Sequence, residues 1–162
     1  MQAISNLEKL YMDVFVWFER RKGPLPIKPA LMIFKEKAGY QEFLRQNIPS
    51  TEDIESEACT LFKMVDGKLQ ITIAVQNSLS LEPIAVQACT LIHELNHVYE
   101  ETKTGKITFH IVEPKNATDN REIATWMDSV NLMEEYFGKP LPKWAKDRVF
   151  AMLKGATFKK KE

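Results

Sequence analysis

The stretch CTLIHELNHVYEE, residues 89–101, contains His93-Glu94-Leu95-Asn96-His97, two histidines four apart with a glutamate directly after the first. The whole chain has only three histidines. At about 100° per residue, His93 and His97 fall within roughly 40° of each other on one face of a helix, a spacing from which one tetrahedral ion accepts both imidazoles. Val86, Thr90 and Glu100 share this front, while Ile84, Ala88, Leu91, Leu95 and Val98 cluster on the opposite side. That apolar stripe is enough to bury the helix by itself, so the histidines are not needed as filler. Imidazoles beside a carboxylate are costly to bury without partners.

Glu94 projects about 100° from His93, at the shoulder of the same front. It is too far aside to be an obvious co-ligand, yet within reach of a water on an ion held by the histidines. These are the mechanics of the H-E-x-x-H pattern: two ligands, and a glutamate as general base. A satisfied structural histidine pair is the alternative. Cys89 lies one turn before His93 and prompts the idea of a thiolate ligand, but a small buried core residue is the simpler reading.

The rest of the chain fits one domain spanning residues 1–162, long enough to bury a core. Hydrophobic content of 44% and charged content of 27% exclude a disordered or membrane class. Lys plus Arg and Asp plus Glu each number 22, so no global attraction to nucleic acid or membrane is indicated. Charge is uneven, with an acidic run at 52–57 and a basic stretch over 139–162 that ends in a flexible lysine tail, 158–162. Both read as solvated surface, and the tail touching an acidic partner is the alternative. Two cysteines make no disulfide framework, no signal peptide opens the chain, and no run of about 18 apolar residues occurs. A soluble, cytoplasmic protein is expected; nothing in the sequence reads on oligomeric state.

Hydrophobic periodicity predicts a helix from Ser5, with a Ser5–Glu8 capping box, to a stop at Gly23. A proline-rich connection leads to a short strand, 30–34, and a short helix, 40–47. Two β-rich runs flank Asp66-Gly67, the dipeptide suited to a type I′ turn, and predict a hairpin. Within it, LQITIAVQ (69–76) is either an exposed edge open to an extended peptide or an interior strand. The histidine helix follows, from Ser80 or Pro83 to about Lys103, with Gly105 as its stop. KITFHIV (106–112) reads as strand or extended loop; helices at about 119–137 and 142–154 complete the chain. Trp17, Trp126 and Trp144 read as core or packing residues. The order predicts an α+β domain with a small, mostly antiparallel sheet.

A catalytic zinc takes three protein ligands and keeps one position for water. The metzincin continuation fails, since Glu100 stands at its glycine and Lys103 at its third histidine. In the helix DNREIATWMDSVNLMEEYFG, Ile123, Trp126, Val130, Met133 and Phe137 form an inward stripe. Glu122 lies on the edge of that stripe, whereas Asp128 and Glu135 point well away. A carboxylate against an apolar face needs a partner, and a metal supplies one. The alternatives are a capping role for Glu122 behind Asp119, and His110 as third ligand.

The pattern His93-Glu94-Leu95-Asn96-His97, followed after 24 intervening residues by Glu122, resembles the gluzincin zinc metallopeptidases. The hairpin and short length are most similar to the single-domain minigluzincins and ImmA/IrrE-type peptidases. Glu122-Ile123-Ala124 loosely matches the glutamate and nearby alanine of the latter. The resemblance covers roughly residues 58–137. Trp126 departs from it, standing where larger gluzincins place an aspartate four residues after the third ligand, and no helix-turn-helix region accompanies the domain. The resemblance implies a zincin-like fold, one Zn²⁺ per chain held by His93, His97 and Glu122, and hydrolysis of a peptide or protein substrate. Glu94 would act as the base on a water of lowered pKa. An oxyanion donor is also implied, with His110, Tyr136, Tyr99 and Arg121 as candidates. Two other functions stay open: a metal-binding regulatory or interaction protein of the same fold with little hydrolysis, and a structural domain without metal.

Overall fold

A computed structural model of the chain describes residues 6–47, 57–103 and 120–149, with side chains in the last segment described from Met127 onward. The elements in order are α1 (Asn6–Lys22), β1 (Ala30–Phe34), α2 (Lys37–Asn47), β2 (Ala58–Val65), β3 (Lys68–Gln76), a 3₁₀ turn (Asn77–Leu81), α3 (Ile84–Lys103) and α4 (Asn120–Phe137). Residues 143–149 add a further helical stretch, α5. Ser5, Gly105, the 106–112 segment, His110, residues 52–56 of the acidic run 52–57 and the lysine tail lie outside the described residues.

The β2–β3 hairpin starts from its turn. Asp66 has φ 52° and Gly67 φ 76°, the paired positive values of a type I′ turn that match the twist of the flanking strands. The antiparallel register then runs from Val65 opposite Lys68 to Ala58 opposite Val75. β1 adds to the other side of β3 in parallel, Ala30 opposite Thr72 through Phe34 opposite Gln76. The sheet is therefore mixed, in the order β1-β3-β2, with one parallel and one antiparallel pair where a mostly antiparallel sheet is expected from the sequence. The reason is that β1 and β2 lie on opposite edges and run in opposite directions, so the hairpin turn brings β3 back between them parallel to β1.

β3 is the central strand, and it is buried at Ile71, Ile73, Ala74, Val75 and Gln76. Of the two readings of LQITIAVQ, the interior strand holds and the exposed edge does not. From Ile73 to Gln76 every position is buried, as in a strand covered on both faces. Alternation divides the sheet into two packed faces. Phe62, Ile71, Ile73 and Val75 join the main core with α1, α3 and α4, while Cys59, Leu61 and Ala74 pack with Tyr40 and Leu44 of α2.

α1 buries Leu7, Tyr11, Val14 and Phe18, the 3–4 spacing of one helical face. α4 buries Val130 and Met133 of its expected stripe, and also Leu132 and Ser129. It ends at Gly138 (φ 71°), where the Lys139 amide bonds the Glu134 carbonyl at 3.2 Å and satisfies a carbonyl that the last turn leaves open. α3 departs from the two-sided helix expected from its sequence. Sheet, α1 and α4 surround it, so Val86 and Thr90 on the histidine front are as buried as Leu91 and Leu95 behind. Ile84, expected inside, sits at the helix start and is 60% exposed. Trp144, expected to pack, is 54% exposed, because Ala145 and Val149 carry the inward face of α5.

Gly67 meets no atom within 4 Å of where a Cβ would stand, so substitution there strains only the backbone. Gly67→Ala is expected to cost about 1–2 kcal/mol by denaturant titration, with Gly67→Asn milder because asparagine tolerates the left-handed region.

Candidate metal centre

The middle of α3 places three polar side chains together inside the protein. His93, Glu94 and His97 are 4%, 5% and 4% exposed. The Nε2 atoms of the two histidines are 3.1 Å apart, and their rings meet edge to face with centroids 4.5 Å apart. A carboxylate oxygen of Glu94 and one nitrogen of each ring all lie within 4.8 Å of one another. The convergence of the two histidines is what the i, i+4 spacing predicts; Glu94, expected too far aside to be an obvious co-ligand, comes close enough to join them as a third potential donor.

The donor set fits a metal ion. Two nitrogens bound to one tetrahedral zinc at 2.0–2.1 Å stand about 3.3 Å apart, close to the separation observed. The same separation also accommodates an N–H···N hydrogen bond between neutral tautomers. The adjacent carboxylate favours a cation at this place, since buried charge needs a counter-charge or a proton. Imidazole nitrogen with carboxylate oxygen is a donor combination suited to zinc and its neighbours in the first transition row.

The surroundings are set by three elements. On the sheet side, the Thr60 hydroxyl of β2 lies 3.5 Å from the Glu94 carbonyl, its putting β2 against the motif turn. On the α4 side, the fully buried Asn96 donates its side-chain amide to Asp128 at 2.9 Å, and Lys22 of α1 stands 3.9 Å from the same carboxylate. Asp128 was expected to point well away from the inward stripe; it is half-exposed, yet it reaches a residue inside the motif. One turn beyond His97, Glu101 is buried, whereas Glu100, the carboxylate that helical projection singled out, is half-exposed. Asn96 and Glu101 are the site neighbours missed in the sequence. The available signal was their position, inside the motif and four residues after its second histidine.

Glu122 and Arg121 lie on the first turns of α4, whose side chains are outside the described residues, as is the whole of His110. Tyr136 is placed: its hydroxyl donates to Asp13 of α1, and its ring packs edge-on against Trp17 at 5.4 Å. Burial, then the hydrogen bond and negative charge of Asp13, pushes its phenol up to about 12. Tyr99 stacks edge-on against Phe18, with Lys22 and Lys103 over its ring. Both tyrosines therefore have packing roles between α1 and its neighbours.

No protein-family model, curated protein or solved structure matches this chain. Among the described residues, no helix is long and apolar enough to cross a membrane.

Cys89, one turn before His93, is fully buried, and desolvation pushes its thiol up to about 12. It is the core thiol rather than a thiolate donor. Native protein at pH 8 is expected to leave Cys89 unalkylated by iodoacetamide and to label fully in denaturant, as read by peptide mass spectrometry; rapid native labelling would contradict this burial.

Proposed function

We propose that this chain is a zinc-dependent peptidase of zincin-like fold that hydrolyses a peptide or protein substrate. The observation that carries the reading is the convergence of the His93 and His97 nitrogens at 3.1 Å with the Glu94 carboxylate beside them. His93 and His97 would hold the ion, with Glu122 of α4 as third ligand. Bound there, zinc supplies a Lewis acid for the scissile carbonyl and draws the pKa of a water towards 7.

The protein's own part is proton handling. Glu94 follows His93 directly in the chain, so its carboxylate sits beside the histidine pair without sharing its direction. From there it takes a proton from the attacking water and returns it to the leaving amine. Its burial keeps bulk water from competing for that proton, and strengthens each electrostatic contact within the site.

A second reading draws on one observation. All three side chains are at most 5% exposed, and closed metal sites are structural more often than catalytic. On that reading the chain is a metal-binding regulatory or interaction protein of the same fold.

Metal analysis of tag-free protein is expected to find one zinc per chain, and a protein that neither contains nor takes up zinc ends both readings. Glu94→Gln separates them: hydrolysis of a peptide library should fall about 10²- to 10⁴-fold while zinc content stays unchanged. Wild type that holds zinc and cleaves nothing in the library supports the second reading. Glu122→Ala should weaken zinc binding; loss of helix stability alone would return Glu122 to a capping role.

A further inference from the structure

Asn96 is a polar residue in the one place where the packing has least need of it. It lies between Leu95 and His97 on α3, it is fully buried, and its side-chain amide donates to Asp128 of α4 at 2.9 Å. Its own Oδ1 is buried and has no hydrogen-bond partner among the described residues. A leucine of similar size would avoid that orphaned acceptor, so the amide is not there for stability.

What a hydrogen bond adds to an apolar helix contact is register. Leu95 and Val98 of α3 and Val130 and Met133 of α4 belong to the same core and supply the burial. Apolar packing tolerates small slides, whereas a donor–acceptor pair of 2.9 Å does not. Other polar ties of α4, Tyr136 with Asp13 among them, run to α1 rather than to the helix that carries the site. Arg21–Glu135 is about half exposed on both sides, and Lys22–Asp128 is 3.9 Å long.

Asn96 is next to His97 and two residues from Glu94, so it belongs to the rigid turn that carries the site. Asp128 belongs to the same rod as Glu122, six residues and about 9 Å along α4. We propose that the Asn96–Asp128 hydrogen bond is the positioning contact that fixes the height of α4, and so of Glu122, against the His93–His97 pair. This rests on the zinc reading above, with Glu122 as third ligand. Asn96 and Asp128 act through other residues and touch neither substrate nor metal.

Cobalt titration tests the idea, with the Co²⁺ visible absorption as a report of coordination and thermal unfolding as a separate report of the fold. Asn96→Leu removes the hydrogen bond and the orphaned acceptor together and leaves Asp128 exposed enough to be solvated. It should bind Co²⁺ about 10- to 100-fold more weakly than wild type, with an altered visible spectrum and an unchanged or raised Tm. Asp128→Asn keeps an acceptor for the amide and should stay within about twofold of wild type. Wild-type affinity and spectrum in Asn96→Leu overturn the inference while leaving the zinc reading intact. Asp128→Asn as weak as Asn96→Leu also overturns it, because charge rather than the hydrogen bond would then be what matters. Wild type that takes up no cobalt overturns the zinc reading itself, and this inference with it.

Discussion

The constraint on which this structure turns is the burial of α3 on all sides. Sheet, α1 and α4 enclose a 20-residue helix that carries Thr90, His93, Glu94, Asn96, His97 and Glu101 as buried polar residues. A helix in that position is normally apolar throughout. Each buried ionisable group left unmatched costs several kcal/mol, against a typical net stability of about 5–15 kcal/mol for a whole domain. So many such groups on one helix are tolerable only when they match one another or share a cation. Thr90 shows the simplest solution, its hydroxyl bonding the Val86 carbonyl one turn back at 2.8 Å. The histidines and Glu94 show the collective one.

Sequence periodicity carried much of this because it reports angles. The 3.6-residue period set His93 and His97 on one front and their nitrogens do converge; the Asp66-Gly67 dipeptide specified a hairpin turn whose two positive φ values are as required. Angles say nothing about what lies opposite. The strand ALMIF is five apolar residues with no feature that fixes its direction or partner, so its parallel pairing with β3, on the edge opposite β2, was not legible in it. For the same reason the central position of β3 was one of two open readings. Asp128 illustrates the limit most sharply. Its angle on α4 placed it away from the stripe, but a side chain at the margin of a helix reaches sideways, and Asn96 on the neighbouring helix was there to meet it. Trp144 shows the converse: size and apolarity argued for packing, while Ala145 and Val149 took the inward positions.

The position of Glu94 also bears on how the group is assembled. His93 and His97 aim at one point from angles about 40° apart, which is why their nitrogens stand 3.1 Å apart. Glu94 departs from His93 by about 100° and has one residue's rise, about 1.5 Å, between its Cα and that of its neighbour. A carboxylate starting there approaches the same region from the side. The Glu94 carboxylate nonetheless comes within 4.8 Å of a nitrogen of each histidine, so the three side chains form one donor group. Helix geometry thus brings three donor side chains together within five residues, and no loop is needed to complete the group. The same economy encloses the group, with all three side chains at most 5% exposed, so on either reading proposed above access to it is the property that the fold must arrange.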